Sequence, residues 1–200
     1  MNNKLIFFIG ILGALLFVST AILGGFLIEN YNPISQYISE TYATGTPYGK
    51  LLRFWGFIPS GILLTIFFIA VIKKFPKNKF IKIGFVGLAI FYGIATIVVS
   101  VFPCDKGCPD ELDNVSASQI IHNLTGLLTY LIVPICILII GKGLKKASVD
   151  NKITKYASIL GWLSVGFIII LLSDPKSNYI GLYQRIIESI LFNHTINQYF

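Results

Sequence analysis

Two polar stripes stand inside otherwise apolar stretches of this 200-residue chain. Ser118, Gln119, His122, Gly126, Thr129 and Tyr130 follow steps of three and four, so they share one helix face. Gly181, Gln184, Arg185 and Glu188 form a second stripe, in which Arg185 and Glu188 are three apart and within pairing reach. Two polar boxes accompany them. The first is Asn32-Pro33-Ile34-Ser35-Gln36-Tyr37-Ile38-Ser39-Glu40. Asn at a cap followed by Pro starts helices, so a short surface helix is expected here, with Ser35/Ser39 and Gln36/Glu40 spaced at i,i+4. Thr44-Gly45-Thr46-Pro47-Tyr48-Gly49 then turns the chain back. The second box is Phe102-Pro103-Cys104-Asp105-Lys106-Gly107-Cys108-Pro109.

These residue types support more than one chemistry. His122 could act as a general base oriented by Asp105 or Glu40, with Arg53 or Arg185 stabilising developing negative charge. Ser35, Ser39 and Ser118 are all candidate nucleophiles for such an enzyme, whose substrate would be a lipid. The same polar groups could instead line a vestibule for a polar small molecule or a lipid headgroup. That site would draw on Ser35, Gln36, Ser39, Glu40, Arg53, Asp105, Ser118, His122, Asn123, Gln184, Arg185 and Glu188. Or they could be structural: Arg or Glu near a helix end snorkels, and polar pairs bind helices together. Membrane zinc hydrolases and paired-His haem sites need several histidines. The chain has 2, and His194 reads as interfacial, so no metal and no cofactor are expected. Cys104 and Cys108 can close a small disulfide ring; a metal pair and two free thiols are the alternatives. Cys136 falls mid-helix and reads as inert core.

The elements that must position these residues are apolar. Hydrophobic residues make up 54% and charged ones 12%, and the mean hydropathy is +0.75. Disorder, a coiled coil, a collagen-like chain and an ordinary cytosolic enzyme are excluded. The pattern predicts an all-α polytopic membrane bundle forming a single integral domain over 1–200. Its six transmembrane helices are expected at about 5–28, 54–72, 83–102, 119–140, 157–173 and 179–196. The first run is too long for a signal-peptide core, so it reads as a retained helix. Pro59 should bend the second helix. The sixth is the least apolar, because it contains Arg185, Glu188 and His194.

Basic residues orient this bundle. Lys4, the loop holding Lys73, Lys74, Lys77, Lys79 and Lys82, and the loop holding Lys142, Lys145, Lys146, Lys152 and Lys155 share one side. Lys50, Arg53, Lys106, Lys176 and Arg185 belong to the other. The positive-inside rule therefore puts both termini in the cytoplasm of a protein of the plasma (inner) membrane. Glu29, Glu40, Asp105, Asp110, Glu111, Asp113 and Asp174 fall outside. Tyr48 and Trp55 fit an outer aromatic belt. The net charge of +7 is loop charge that meets lipid headgroups, so the expected partner is the bilayer and not nucleic acid. Six short helices could also be half of a dimeric carrier, so a homo-oligomer stays open.

The chain resembles small bacterial and archaeal multi-pass proteins catalogued as domain of unknown function 998. The resemblance rests on Ile34 to Glu40, on Phe102 to Pro109, on Ser118-Gln119-Ile120-Ile121-His122-Asn123 and on Gly181-Leu182-Tyr183-Gln184-Arg185, and runs from about residue 5 to 192. It implies the fold and the weight of these four boxes, and it supplies no reaction. The residues thus leave three readings: a binder or carrier with an outward-facing polar pocket, a lipid-directed enzyme based on His122, and an accessory subunit.

Overall fold

The computed structural model describes residues 1–109 and 114–197, with side chains on the last helix as far as Leu191. The expected exterior acids Asp110, Glu111 and Asp113, and the side chain of His194, lie outside the described residues. Among the described residues the regular structure is entirely helical. Five helices are long and apolar enough to cross a membrane: α1 (Asn3–Leu27), α2 (Gly49–Lys74), α3 (Lys79–Val101), α4 (Ala117–Lys146) and α5 (Asn151–Ser173). The sixth, α6 (Ile180–Asn197), has 18 residues, about 27 Å at 1.5 Å per residue. Its two charged side chains keep it below the hydropathy of the others.

Successive helices pack side by side, and the ring closes where α6 meets α1 across its thinnest seam. The short links after Lys74, Lys146 and Ser173 hold their neighbours antiparallel, while longer loops join Leu27 to Gly49 and Val101 to Ala117. Large apolar side chains on the outer surface, among them Phe8, Leu12, Phe26, Ile135, Trp162 and Ile169, are exposed. A surface of that kind suits hydrocarbon, not water. Inside, Ser60 Oγ donates to the Gly13 carbonyl at 2.7 Å and ties α2 to α1. At Gly61 and Gly93 the backbones of α2 and α3 meet. A Cβ on Gly61 would lie 2.8 Å from the Gly93 oxygen, so only glycine allows the approach.

The bend expected at Pro59 takes the form of a π turn over Arg53–Phe57, immediately before it. Proline removes one N–H and crowds the carbonyl four residues back, and the extra residue in the turn relieves that crowding. A second π turn, Ala89–Ile94, lies in α3 without a proline.

The first long loop, residues 28–48, departs from the single surface helix that its sequence predicts. Asn32 caps one turn, its Oδ1 accepting from the Ile34 N–H at 2.9 Å. The chain then leaves helical geometry at Tyr37 and restarts as a 3₁₀ helix, Ile38–Tyr42. The Gln36 and Glu40 side chains explain the break: they accept the Asn32 and Tyr37 N–H groups at 2.7 and 2.8 Å. Polar side chains that capture nearby backbone groups compete with a continuing helix. The loop rests on the start of α6, where Leu182 N–H donates to the Ile34 carbonyl at 2.9 Å. Gly181 permits this, since a Cβ there would lie 2.7 Å from the Pro33 oxygen. In the loop between α3 and α4 Cys104 and Cys108 are disulfide-bonded, with Cα atoms 5.0 Å apart, and Gly107 supplies the positive φ of the tight turn.

Candidate functional site

Beneath the two loops a chain of polar side chains crosses the bundle. Tyr92 of α3 and Tyr130 of α4 both donate to the Glu188 carboxylate of α6, Tyr130 at 3.0 Å. Gln184 Nε2 donates to Tyr130 Oη at 2.8 Å, and its Oε1 accepts the Ile38 N–H at 2.7 Å. Glu188 is 7% exposed and Gln184 8%. Carboxylates are tolerated at such depth because each lone pair they use is met by a donor.

This network borders two cavities. An inner one of about 260 Å³ lies between the helices and is partly open, with Ser39, Tyr42, His122, Asn123, Gln184 and Glu188 among its walls. A cleft of about 500 Å³ runs along the α1–α6 seam and includes Tyr31, Arg185 and Glu188. Phe17, Ile38 and Glu188 belong to both.

His122 is held at Nδ1, which lies 3.0 Å from the Phe102 carbonyl and 3.2 Å from that of Val99. Two carbonyl oxygens can only accept, so Nδ1 carries the proton and Nε2 keeps its lone pair. Nε2 has no hydrogen bond among the described residues. Nor has the hydroxyl of Tyr42, a side chain 5% exposed on the same cavity. Burial, with the nearby Glu188 carboxylate adding to it, pushes the Tyr42 phenol well up, so it stays an O–H donor.

The structure divides the sequence-predicted site residues into two groups. Ser39, His122, Asn123, Gln184, Arg185 and Glu188 face one cavity or the other. Ser35, Gln36, Glu40, Arg53, Asp105 and Ser118 line neither, and most of them brace loops. Gln36 Nε2 donates to Glu40 at 2.7 Å, and Ser118 Oγ to the Pro103 carbonyl at 2.6 Å. Arg53 donates to the carbonyls of Gly49 at 3.2 Å and Ser100 at 3.4 Å. Asp105 accepts from the Ser116 N–H at 2.9 Å and hydroxyl at 2.7 Å, and these bonds hold its carboxyl below the usual range. His122 is therefore oriented by backbone carbonyls, where the sequence offered Asp105 or Glu40 for that role.

The expected Arg185–Glu188 pair is likewise replaced. Arg185 Nη1 donates to the carbonyls of Pro33 at 2.7 Å and Gln36 at 3.1 Å, and Nη2 donates to Tyr31 Oη. Burial raises the Tyr31 phenol while Arg185 works against that rise. Tyr31 keeps its proton and donates to the Tyr37 carbonyl at 2.9 Å. Sequence reasoning missed Tyr31, Tyr42 and Tyr92 as members of the site. For Tyr92 the signal was present: a phenol in mid-span needs a polar partner.

Six helices around a buried polar centre, five of them able to span a bilayer, define a membrane-embedded multi-pass protein. The chain belongs to the family described as Protein of unknown function (DUF998), whose model matches residues 11–192. No curated protein and no solved structure matches it.

Proposed function

We propose that the protein binds a polar small molecule or a lipid headgroup in the inner cavity, from the outer side of the plasma (inner) membrane. The observation that carries this reading is a pair of buried polar atoms on that cavity without a partner among the described residues, Tyr42 Oη and His122 Nε2. One is a donor and the other an acceptor. Burying either without a partner costs about 1–3 kcal/mol, and a ligand hydroxyl or amine recovers that cost. Apolar walls around a few convergent polar groups are the usual form of a small-ligand site.

Tyr42→Phe separates this role from a structural one. The lost hydroxyl has no partner among the described residues, so the variant should melt at or slightly above the wild-type temperature in detergent. It should also lose most of the thermal stabilisation that a panel of lipids and polar metabolites gives the wild type. A variant that melts well below wild type, beside a wild type that no compound stabilises, would leave a structural role.

A second reading has one observation in its favour. With Nδ1–H fixed by two carbonyls, Nε2 is set as a proton acceptor, which is what a general base on a lipid substrate requires.

A further inference from the structure

The larger cavity lies where the ring is thinnest, and its walls differ from those of the inner one. On the α1 side they are Phe17, Val18, Ala21, Ile22 and Phe26. Ile22 is 56% exposed and Phe26 85%, so the mouth is on the surface that faces hydrocarbon. A water-soluble ligand gains little from such a wall, whereas an acyl chain is buried by it.

The opposite side carries both signs of charge. Arg185 keeps donors to spare: its Nε–H makes no hydrogen bond among the described residues. Glu188 receives two phenol protons, and among the described residues no Lys or Arg pairs with it. At i and i+3 their Cβ atoms are about 5–6 Å apart on one helix face. That spacing suits a phosphate and an ammonium joined by a short alkyl link.

We propose that the α1–α6 cleft holds a phospholipid with a terminal primary ammonium, drawn sideways from the adjoining leaflet. Its phosphate meets Arg185, its ammonium meets Glu188 and its acyl chain lies along α1. This rests on the inner cavity being a ligand site, and adds the source of the ligand and its charge.

The test is titration of the delipidated full-length protein in detergent, with bound ligand counted by native mass spectrometry. The probes are phosphatidylethanolamine, phosphatidylglycerol and chain-free glycerophosphoethanolamine. The wild type should prefer phosphatidylethanolamine to phosphatidylglycerol by about tenfold, the value of one charge-assisted hydrogen bond. Glu188→Gln should bring the two lipids level. Ala21→Trp, which fills the cleft and leaves Glu188 in place, should weaken phosphatidylethanolamine and spare glycerophosphoethanolamine.

Equal affinity for the two lipids, or a preference that survives Glu188→Gln, would overturn the proposal. Chain-free headgroup binding as tight as the lipid would overturn the cleft and leave the inner cavity standing. A wild type that binds none of the three probes also overturns the proposal, and the inner cavity then stands or falls by the Tyr42→Phe comparison.

Discussion

Glu188, Arg185, His122 and Asp105 meet the same need for partners in different ways. Glu188 is met by two phenols from facing helices. Arg185 is met by backbone carbonyls of a loop it helps to hold. His122 is met at Nδ1 by two backbone carbonyls, and among the described residues its Nε2 has no partner. Asp105, outside the spans, accepts both donors of Ser116. Its folded value is depressed, so its contribution is complete above the unfolded carboxylate range. That contribution is lost as pH falls through the folded value beneath it. A carbon-13 titration of Asp105 should have a midpoint below about 3.9, and Ser116→Ala should move it up toward that value. A midpoint at or above the ordinary value would contradict the assigned bonds.

At the scale of elements, hydropathy and charge made the helices legible. The five long apolar runs are helices close to where their composition puts them. The sixth was recognisable despite Arg185 and Glu188 because a polar stripe of helical spacing ran through it. What composition could not carry was competition between local bonds. Gln36 and Glu40 look like helix residues at i,i+4, yet Glu40 takes the Tyr37 N–H that a continuing helix would use, and the helix splits in two. The π turn ahead of Pro59 was equally hidden, since sequence marks a bend there but not how the backbone absorbs it. The orientation of these elements is testable with impermeant thiol reagents on Lys77→Cys and Lys176→Cys in intact cells. Position 77, in the basic α2–α3 loop, should stay unlabelled, and position 176, between α5 and α6, should label. Labelling at 77 would invert the topology, and protection at both would mean that α3, α4 and α5 do not all cross.

For the whole molecule, the order of the ring matters most. Each helix packs on its neighbour in sequence, and the least populated contact is the closing one, α6 on α1. The residues that sequence placed in one vestibule are therefore divided among two loops, an inner cavity and a lateral cleft. The positions with the clearest polar signature in apolar surroundings, His122, Gln184, Arg185 and Glu188, were legible and reach the cavities. Tyr31 and Tyr42 were not, because tyrosine in a loop beside a span end reads as interfacial until its surroundings are known. The most direct measurement is an experimental density map of the protein purified in mild detergent, at a resolution that separates water from ligand. The account predicts continuous density between Tyr42 Oη and His122 Nε2, extending past Glu188 toward the α1–α6 seam. A cavity closed by side-chain packing, or His122 turned out toward lipid, would contradict it.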